Sequence, residues 1–151
     1  MIGARLRRAV RDTRGTEVLE FAFVLPLVLF VLAGIIDMGF LFNNYEVVTN
    51  AAREGARVGA LPGWIDDDVK ARVRTYVVGA GLKGDAVRTL VEPDVLDVGG
   101  HHVQSVKVVV SYDYNYLIVG ALAGLFQGKT LGSGVTLTAS ATMRKELAAG
   151  L

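Results

Sequence analysis

A single carboxylate stands at the edge of the most apolar stretch of this sequence. Glu20 directly precedes Phe21, and from Phe21 to Ile36 the chain carries no charged side chain. A carboxylate at the edge of a lipid phase is costly unless a cation neutralises it or its side chain extends to the aqueous surface. Glu20 is therefore the first candidate for a functional residue, either as half of an ion pair or as a residue that only reaches towards water.

Two other groups of polar residues are candidates for metal ligands, and both fit a structural role better. His101 and His102 are adjacent, and neighbours on a strand point to opposite faces, so they cannot easily share an ion. The acidic run at 66–68 lacks the alternating spacing and the glycine of a calcium loop, and is typical of a first helical turn. We expect the histidines to lie in a turn, and we expect no metal and no cofactor.

The stretch that follows Glu20 is long enough to cross a membrane. At about 1.5 Å per residue, a helix over residues 21–42 is roughly 33 Å long, close to the ~30 Å hydrocarbon core of a bilayer. Five arginines and one aspartate precede it, so the positive-inside rule keeps the N-terminus in the cytoplasm and exports the rest. We predict a single-pass protein of the cytoplasmic (inner) membrane, with a basic cytoplasmic leader (1–15), a transmembrane helix (16–42) and an extracytoplasmic domain (43–151).

Two residues interrupt the apolar character of the span. Pro26 removes one intrahelical hydrogen bond, so we expect a kink or a melted turn there. Asp37 lies about 24 Å along the helix from Phe21, near the outer interface. We expect Asp37 to be a solvated boundary residue, with contact to a partner inside the membrane as the alternative.

Small residues form a stripe on the helix that we expect to continue over residues 43–60. This stretch has no proline, and its small side chains recur every four positions, which places them on one face. Such a stripe allows close approach, either to the protein's own sheet or to helices of other subunits. Its members are Ala51, Ala52, Gly55, Ala56 and Gly59.

The remaining sequence predicts a small α+β domain with a three- to four-stranded antiparallel sheet. A second helix is expected over 67–78, and residues 86–146 are rich in strand patterns. The expected strands are 86–91, 105–116 and 134–144.

Glycine and proline mark where these strands should end. Pro93 is expected to end the first strand, and Gly99-Gly100 to form the turn before the second. The apolar segment 117–126 is too short to span a bilayer, so we expect a buried or interfacial crossover there, with a short helix as one form of it.

The residues around the start of the span form a recognisable pattern. Gly15-Thr16 is followed by the run EFAFVLPLVLFVLAGIIDMGFLF at 20–42, which begins with Glu20-Phe21. The sequence TNAAREGAR follows at 49–57. Together they resemble the N-terminal signature of TadE-like proteins, the pilin-like minor components of the tight-adherence (Flp) pilus machinery. The likeness is dense over about residues 15–60 and returns faintly at 136–146.

This resemblance implies processing between Gly15 and Thr16 by a prepilin peptidase of class III. Cleavage would give Thr16 a free ammonium one helical turn from Glu20, and this amine or that of a neighbouring subunit would pair with the carboxylate. The resemblance further implies a pilin-like fold, and a structural role in initiating or priming pilus assembly. Its partners would be the peptidase, other pilin-like subunits and the pilus platform proteins, with possible incorporation of the protein into the pilus.

Composition and motifs disfavour several other functions. The absence of cysteine excludes a disulfide scaffold, and a net charge of +1 gives no general attraction for nucleic acid. The chain has no glycine-rich phosphate loop and no G-x-S-x-G elbow, so we expect no small-molecule substrate, no catalytic residue and no enzyme. The alternative is an uncleaved single-pass anchor that carries an extracytoplasmic protein-binding module.

Overall fold

The protein consists of a long N-terminal helix and a small α+β head that packs on the second half of that helix. The computed structural model describes residues 13–118, 120 and 134–146. The elements in chain order are α1 (Thr13–Gly59), α2 (Asp66–Gly79), β1 (Val87–Val98), β2 (His101–Tyr114) and β3 (Val135–Arg144). This is the α+β architecture that the sequence predicts, with three strands in the described part of the chain.

Helix α1 is a single element that continues from the predicted span into the predicted helix beyond it. It begins at Thr13, inside the segment that we assigned to the leader, while residues 1–12 lie outside the described residues. The helix is also continuous through Pro26, so no melted turn forms there. Proline removes one hydrogen bond, but its fixed φ is close to the helical value, and the turns on either side hold the helix together.

The sheet is antiparallel with the order β1-β2-β3, and β1 and β2 form a tight hairpin. Gly99 and Gly100 make the turn with φ values of 62° and 84°, a conformation that requires positive φ at both positions. The glycine turn is confirmed. His101 and His102 are not turn residues, however, because the two glycines complete the turn and the histidines already pair as the first residues of β2.

Strand β1 continues past Pro93, which we expected to end it. Pro93 pairs with Val106 of β2, and β1 extends to Val98. Within the described residues β1 is paired on one side only, and an edge strand tolerates a missing N–H group where that group would point away from its neighbour.

The inner face of the sheet packs against both helices. Every second residue of β2 is buried from Val106 to Tyr114, as the two-residue period predicts. On α2, Val69, Val73 and Val77 are buried, whereas Tyr76 remains 37% exposed at the edge. The core is therefore built mainly from valine, alanine and tyrosine side chains, with Leu82 and Leu137, and α1 supplies the smallest of them.

The direction of β2 fixes which end of the head faces the apolar half of α1. Val106 lies against Gly59, at the C-terminal end of α1, whereas Tyr114 reaches Asp37, in the middle of that helix. The Gly99-Gly100 hairpin is consequently at the far end of the head, and the C-terminal end of β2 is at its base.

Candidate membrane and assembly surface

The N-terminal half of α1 is an exposed apolar rod, which we define as residues 15–32. Every residue in this range is exposed, and the most apolar window of the helix is only 6% buried within the chain. Within the described part of the chain, this is the single helix long and apolar enough to cross a membrane. An apolar surface of this extent has to be covered by lipid or by other apolar helices.

The residues that the sequence identified for processing and assembly lie on the first turns of the rod. Gly15, Thr16, Glu20 and Phe21 are all helical and exposed, and a Cβ atom placed on Gly15 would meet no atom within 4 Å. Thr16 and Glu20 are one helical turn apart. Among the described residues Glu20 forms no ion pair, so its carboxylate is available to a cation from another chain or to a new amine on Thr16.

Asp37 connects α1 to the base of the head, which we define as Tyr114, Tyr116, Leu117 and Ile118. Its Oδ1 atom accepts hydrogen bonds from the backbone N–H groups of Leu117 and Ile118, both at 3.1 Å. Its Oδ2 atom also accepts from the N–H of Ile118 at 3.1 Å. Asp37 is only 1% exposed, so the expectation of a solvated boundary residue is wrong. The chain beyond β2 returns to the helix here and begins a new turn, whose first N–H groups need an acceptor.

The hydroxyl of Tyr114 strengthens the same junction. It donates a hydrogen bond to the backbone carbonyl of Asp37 at 3.2 Å, and its ring meets that of Tyr116 edge-on, with centroids 5.6 Å apart. Burial, together with the nearby Asp37 charge, raises the pKa of Tyr114 above its ordinary value. The hydroxyl therefore stays protonated and able to donate at neutral pH.

The small-residue stripe lies inside the head. Ala51, Ala52 and Ala56 are fully buried, and a Cβ atom on Gly55 would lie 2.6 Å from Val73 Cγ2 of α2 and 3.1 Å from Val108 Cγ1 of β2. A Cβ on Gly59 would lie 3.3 Å from side-chain atoms of Val69 and Val106. Of the two roles that the sequence left open, the structure shows this stripe packing on the protein's own sheet and second helix.

No metal site is formed by the residues that the structure describes. Within them, no group of three or more His, Cys, Asp or Glu side chains lies close enough together to hold an ion. His101 and His102 are both exposed at the far end of the head.

The rod, the Asp37 junction and most of the stripe fall within one stretch that also matches a known family. Residues 15–57 match the family model of TadE-like proteins. This confirms the resemblance read from the sequence over the N-terminal segment, whereas the faint likeness at 136–146 lies outside the matched residues. No curated protein and no solved structure matches the chain.

The TadE-like segment ends in an ion-pair cluster that links it to the rest of the head. Glu54 on α1 accepts hydrogen bonds from Arg57 one turn later, at 2.8 and 2.9 Å, and from Arg72 of α2, also at 2.8 and 2.9 Å. Glu54 and Arg57 are three residues apart on one helix, a spacing that allows their ion pair, whereas the contact with Arg72 depends on the packing of α2 against α1. The hydrogen bonds from Arg57 and then Arg72 lower the pKa of Glu54 to about 2.

This cluster predicts a loss of stability in acid. Because the Glu54 pKa is lowered by folding, its stabilising effect is present above the unfolded value of 4.5 and is lost as pH falls towards about 2. We expect a contribution of about 1–2 kcal/mol at neutral pH, reduced by solvent screening of the half-exposed arginines. The measurement is thermal unfolding of wild type and Glu54→Gln in detergent between these pH values.

The two proteins should differ most at neutral pH and converge at the acid end. The control is Asp67→Asn, which removes the partner of Lys70 from a pair whose carboxylate is 84% exposed, and should change little at any pH. A constant difference between wild type and Glu54→Gln across the range would contradict the assignment.

Proposed function

We propose that this protein is a pilin-like minor subunit of a tight-adherence (Flp) pilus, held in the cytoplasmic membrane by α1 and processed between Gly15 and Thr16. Its N-terminus would face the cytoplasm and its head the outside, and it would act in initiating or priming pilus assembly. The observation that carries this function is the TadE-like match at 15–57, which includes the exposed rod and Glu20, a carboxylate without an ion pair among the described residues.

The rod has the surface that an assembly of helices requires. Its exposure extends around the whole helix from residue 15 to residue 32, so that neighbouring helices can pack on every side. The head begins to cover α1 only at Ala33, which is 4% exposed. Most of the helix that the membrane would enclose is thus left free for partners, while the head packs on the rest of α1.

Glu20 supplies the specific contact at the inner end of the rod. A pair between this carboxylate and the ammonium of a processed Thr16, separated by about 4 Å at an intermediate dielectric, gains a few kcal/mol before desolvation is subtracted. If the amine belongs to the next subunit, the pair fixes the axial position of one helix against another. Because Asp37 ties the head to the same helix, the register of the rods also sets the position of the heads.

The partners in this function are the prepilin peptidase, other pilin-like subunits and the pilus platform proteins. We assign no catalytic residue and no cofactor to the chain. Its contribution is structural, since the chemistry of cleavage belongs to the peptidase.

The test is N-terminal sequencing of the protein extracted from membranes of its native host. We expect the mature chain to begin at Thr16, and Gly15→Leu to prevent processing. Glu20→Gln should permit cleavage but reduce surface pili by about tenfold or more, the equivalent of losing a stabilising pair of more than 1 kcal/mol. The matched control is Glu17→Gln, an exposed carboxylate on the same turns of α1 that is expected to have no effect.

Two results would contradict the proposal. A chain that starts at Met1 in mature membranes would show that no leader is removed. Normal pili in the Glu20→Gln strain would show that the carboxylate has no role in assembly. Together they would favour the uncleaved anchor with a binding module.

A further inference from the structure

We propose that the base of the head lies in the outer leaflet of the membrane, where Tyr116 and Leu117 contact lipid acyl chains beside α1. This gives the protein a second membrane contact in addition to its spanning helix. The inference rests on α1 crossing the membrane, which is part of the proposed function, but it does not depend on processing or on pilus assembly.

The first argument is the depth of Asp37. If Glu20 marks the inner edge of the hydrocarbon, Asp37 lies seventeen residues further on, or about 25 Å along the helix. The hydrocarbon core is about 30 Å thick, so Asp37 is about 5 Å short of its outer edge, and any tilt of the helix places it deeper. Leu117 and Ile118 are hydrogen-bonded to Asp37 and therefore lie at nearly the same depth.

The second argument is that the polar groups at this depth satisfy one another. An N–H group without a partner in hydrocarbon costs several kcal/mol. Both N–H groups that open the turn at the base are bonded to the Asp37 carboxylate, and Asp37 itself is 1% exposed. The hydroxyl of Tyr114 is bonded to the Asp37 carbonyl. Buried groups are also paired in aqueous domains, but this pairing is what allows the base to enter hydrocarbon without an unsatisfied N–H group.

The third argument is that the outward-facing side chains at the base are apolar. Leu117 is 63% exposed and Met38 of α1 is 49% exposed. Between α1 and the base runs an open groove of about 640 Å³, and Tyr116 of the base is one of the eight described residues that line it. The other seven belong to α1 and, apart from Asp37, are apolar or glycine, so the groove continues the apolar surface of the rod. Tyrosine is also enriched at the membrane interface, where its hydroxyl can reach the headgroups.

The experiment places a single tryptophan at the base and measures its depth. The native chain has one tryptophan, Trp64, which lies just after the C-terminal end of α1. We would reconstitute the full chain into phosphatidylcholine and phosphatidylglycerol vesicles that contain a phosphatidylcholine with a nitroxide on its acyl chain. The test variant is Trp64→Phe with Leu117→Trp. Its matched control is Trp64→Phe with Val98→Trp, because Val98 is 61% exposed and lies at the far end of the head.

We expect nitroxide lipid to quench the fluorescence of the Leu117→Trp variant about twofold or more, as for a residue in the acyl region. The wild type and the Val98→Trp variant should be unaffected. Trp64→Phe with Phe23→Trp reports independently on the rod, where Phe23 is 76% exposed. Should Leu117→Trp disturb folding, as judged by circular dichroism, Trp64→Phe with Tyr116→Trp replaces it.

The pattern of quenching distinguishes a base in lipid, a base outside lipid and a chain that is not inserted in the membrane. Quenching at Phe23→Trp but not at Leu117→Trp or Tyr116→Trp would overturn the second contact while leaving the membrane anchor intact. Quenching at the base in dilute vesicles that is lost when they are crowded with protein would support the lipid contact of the single chain and show that a second copy can displace lipid from the groove. No quenching at Phe23→Trp would remove the membrane anchor itself.

Discussion

Replacing Gly55 by valine is expected to destabilise the head by about 3 kcal/mol or more, the largest single effect on its folding. The first atom of any side chain at this position would lie 2.6 Å from Val73 Cγ2 and 3.1 Å from Val108 Cγ1. Both of these valines are fully buried, one on α2 and one on β2, so neither can move aside into solvent. The substitution would push α1 away from two elements at once.

The measurement is the melting temperature of the full chain in detergent, which should fall by more than about 10 °C. Gly55→Ala should give a smaller decrease, since overpacking outweighs the helix propensity gained. The matched control is Gly39→Ala on the same helix, where a Cβ atom would meet nothing within 4 Å. That control should be neutral or stabilising by up to about 1 kcal/mol. If Gly55→Ala raised the melting temperature as Gly39→Ala does, the close approach would not exist in solution.

Replacing Asp37 by leucine is expected to detach the base of the head from α1. The change leaves the N–H groups of Leu117 and Ile118 without their acceptor, and each unsatisfied buried N–H costs about 1–3 kcal/mol. Leucine would suit the membrane better than aspartate, so a residue that only marked the lipid boundary would tolerate the substitution. A large effect therefore distinguishes a structural acceptor from a boundary charge.

Amide hydrogen exchange at residues 117 and 118 is the most direct readout, and both should exchange faster in Asp37→Leu by about tenfold or more, equivalent to 1.4 kcal/mol of lost protection. Asp37→Asn keeps one carbonyl oxygen and should show a smaller change. As a control, Asp97→Leu removes an acceptor from the N–H of Gly100 in the exposed hairpin, where water can take its place. Unchanged exchange at 117 and 118 in Asp37→Leu would mean that the carboxylate does not hold the turn.

Local sequence patterns predict both helices and the alternation along β2. The charge-free run after Glu20, the helix that continues from it and the alternation along β2 each depend on neighbours in sequence, and each is present in the structure. The second helix was expected over 67–78 and extends one residue further at each end. Its acidic start is also confirmed, with the Asp68 side chain accepting a hydrogen bond from the N–H of Ile65.

The expectations for Pro93 and Asp37 were wrong because contacts with residues distant in sequence outweigh the local rule. Proline normally ends a strand, yet β1 continues through Pro93 because it lies at the edge of the sheet, a fact that depends on strand order. An aspartate near a membrane surface is normally solvated, yet Asp37 is buried because the chain returns to it some 80 residues later.

The sequence by itself determined the long apolar helix, the α+β class and the likeness to TadE-like proteins, because periodicity, charge and motif are properties of adjacent residues. Only the tertiary structure decided which face of α1 is covered, that Glu54 reaches Arg72 across to α2, and that Asp37 anchors the base of the head. These contacts join residues 18 to 81 positions apart. Their existence depends on how the helices and the sheet pack, and no local pattern records that packing.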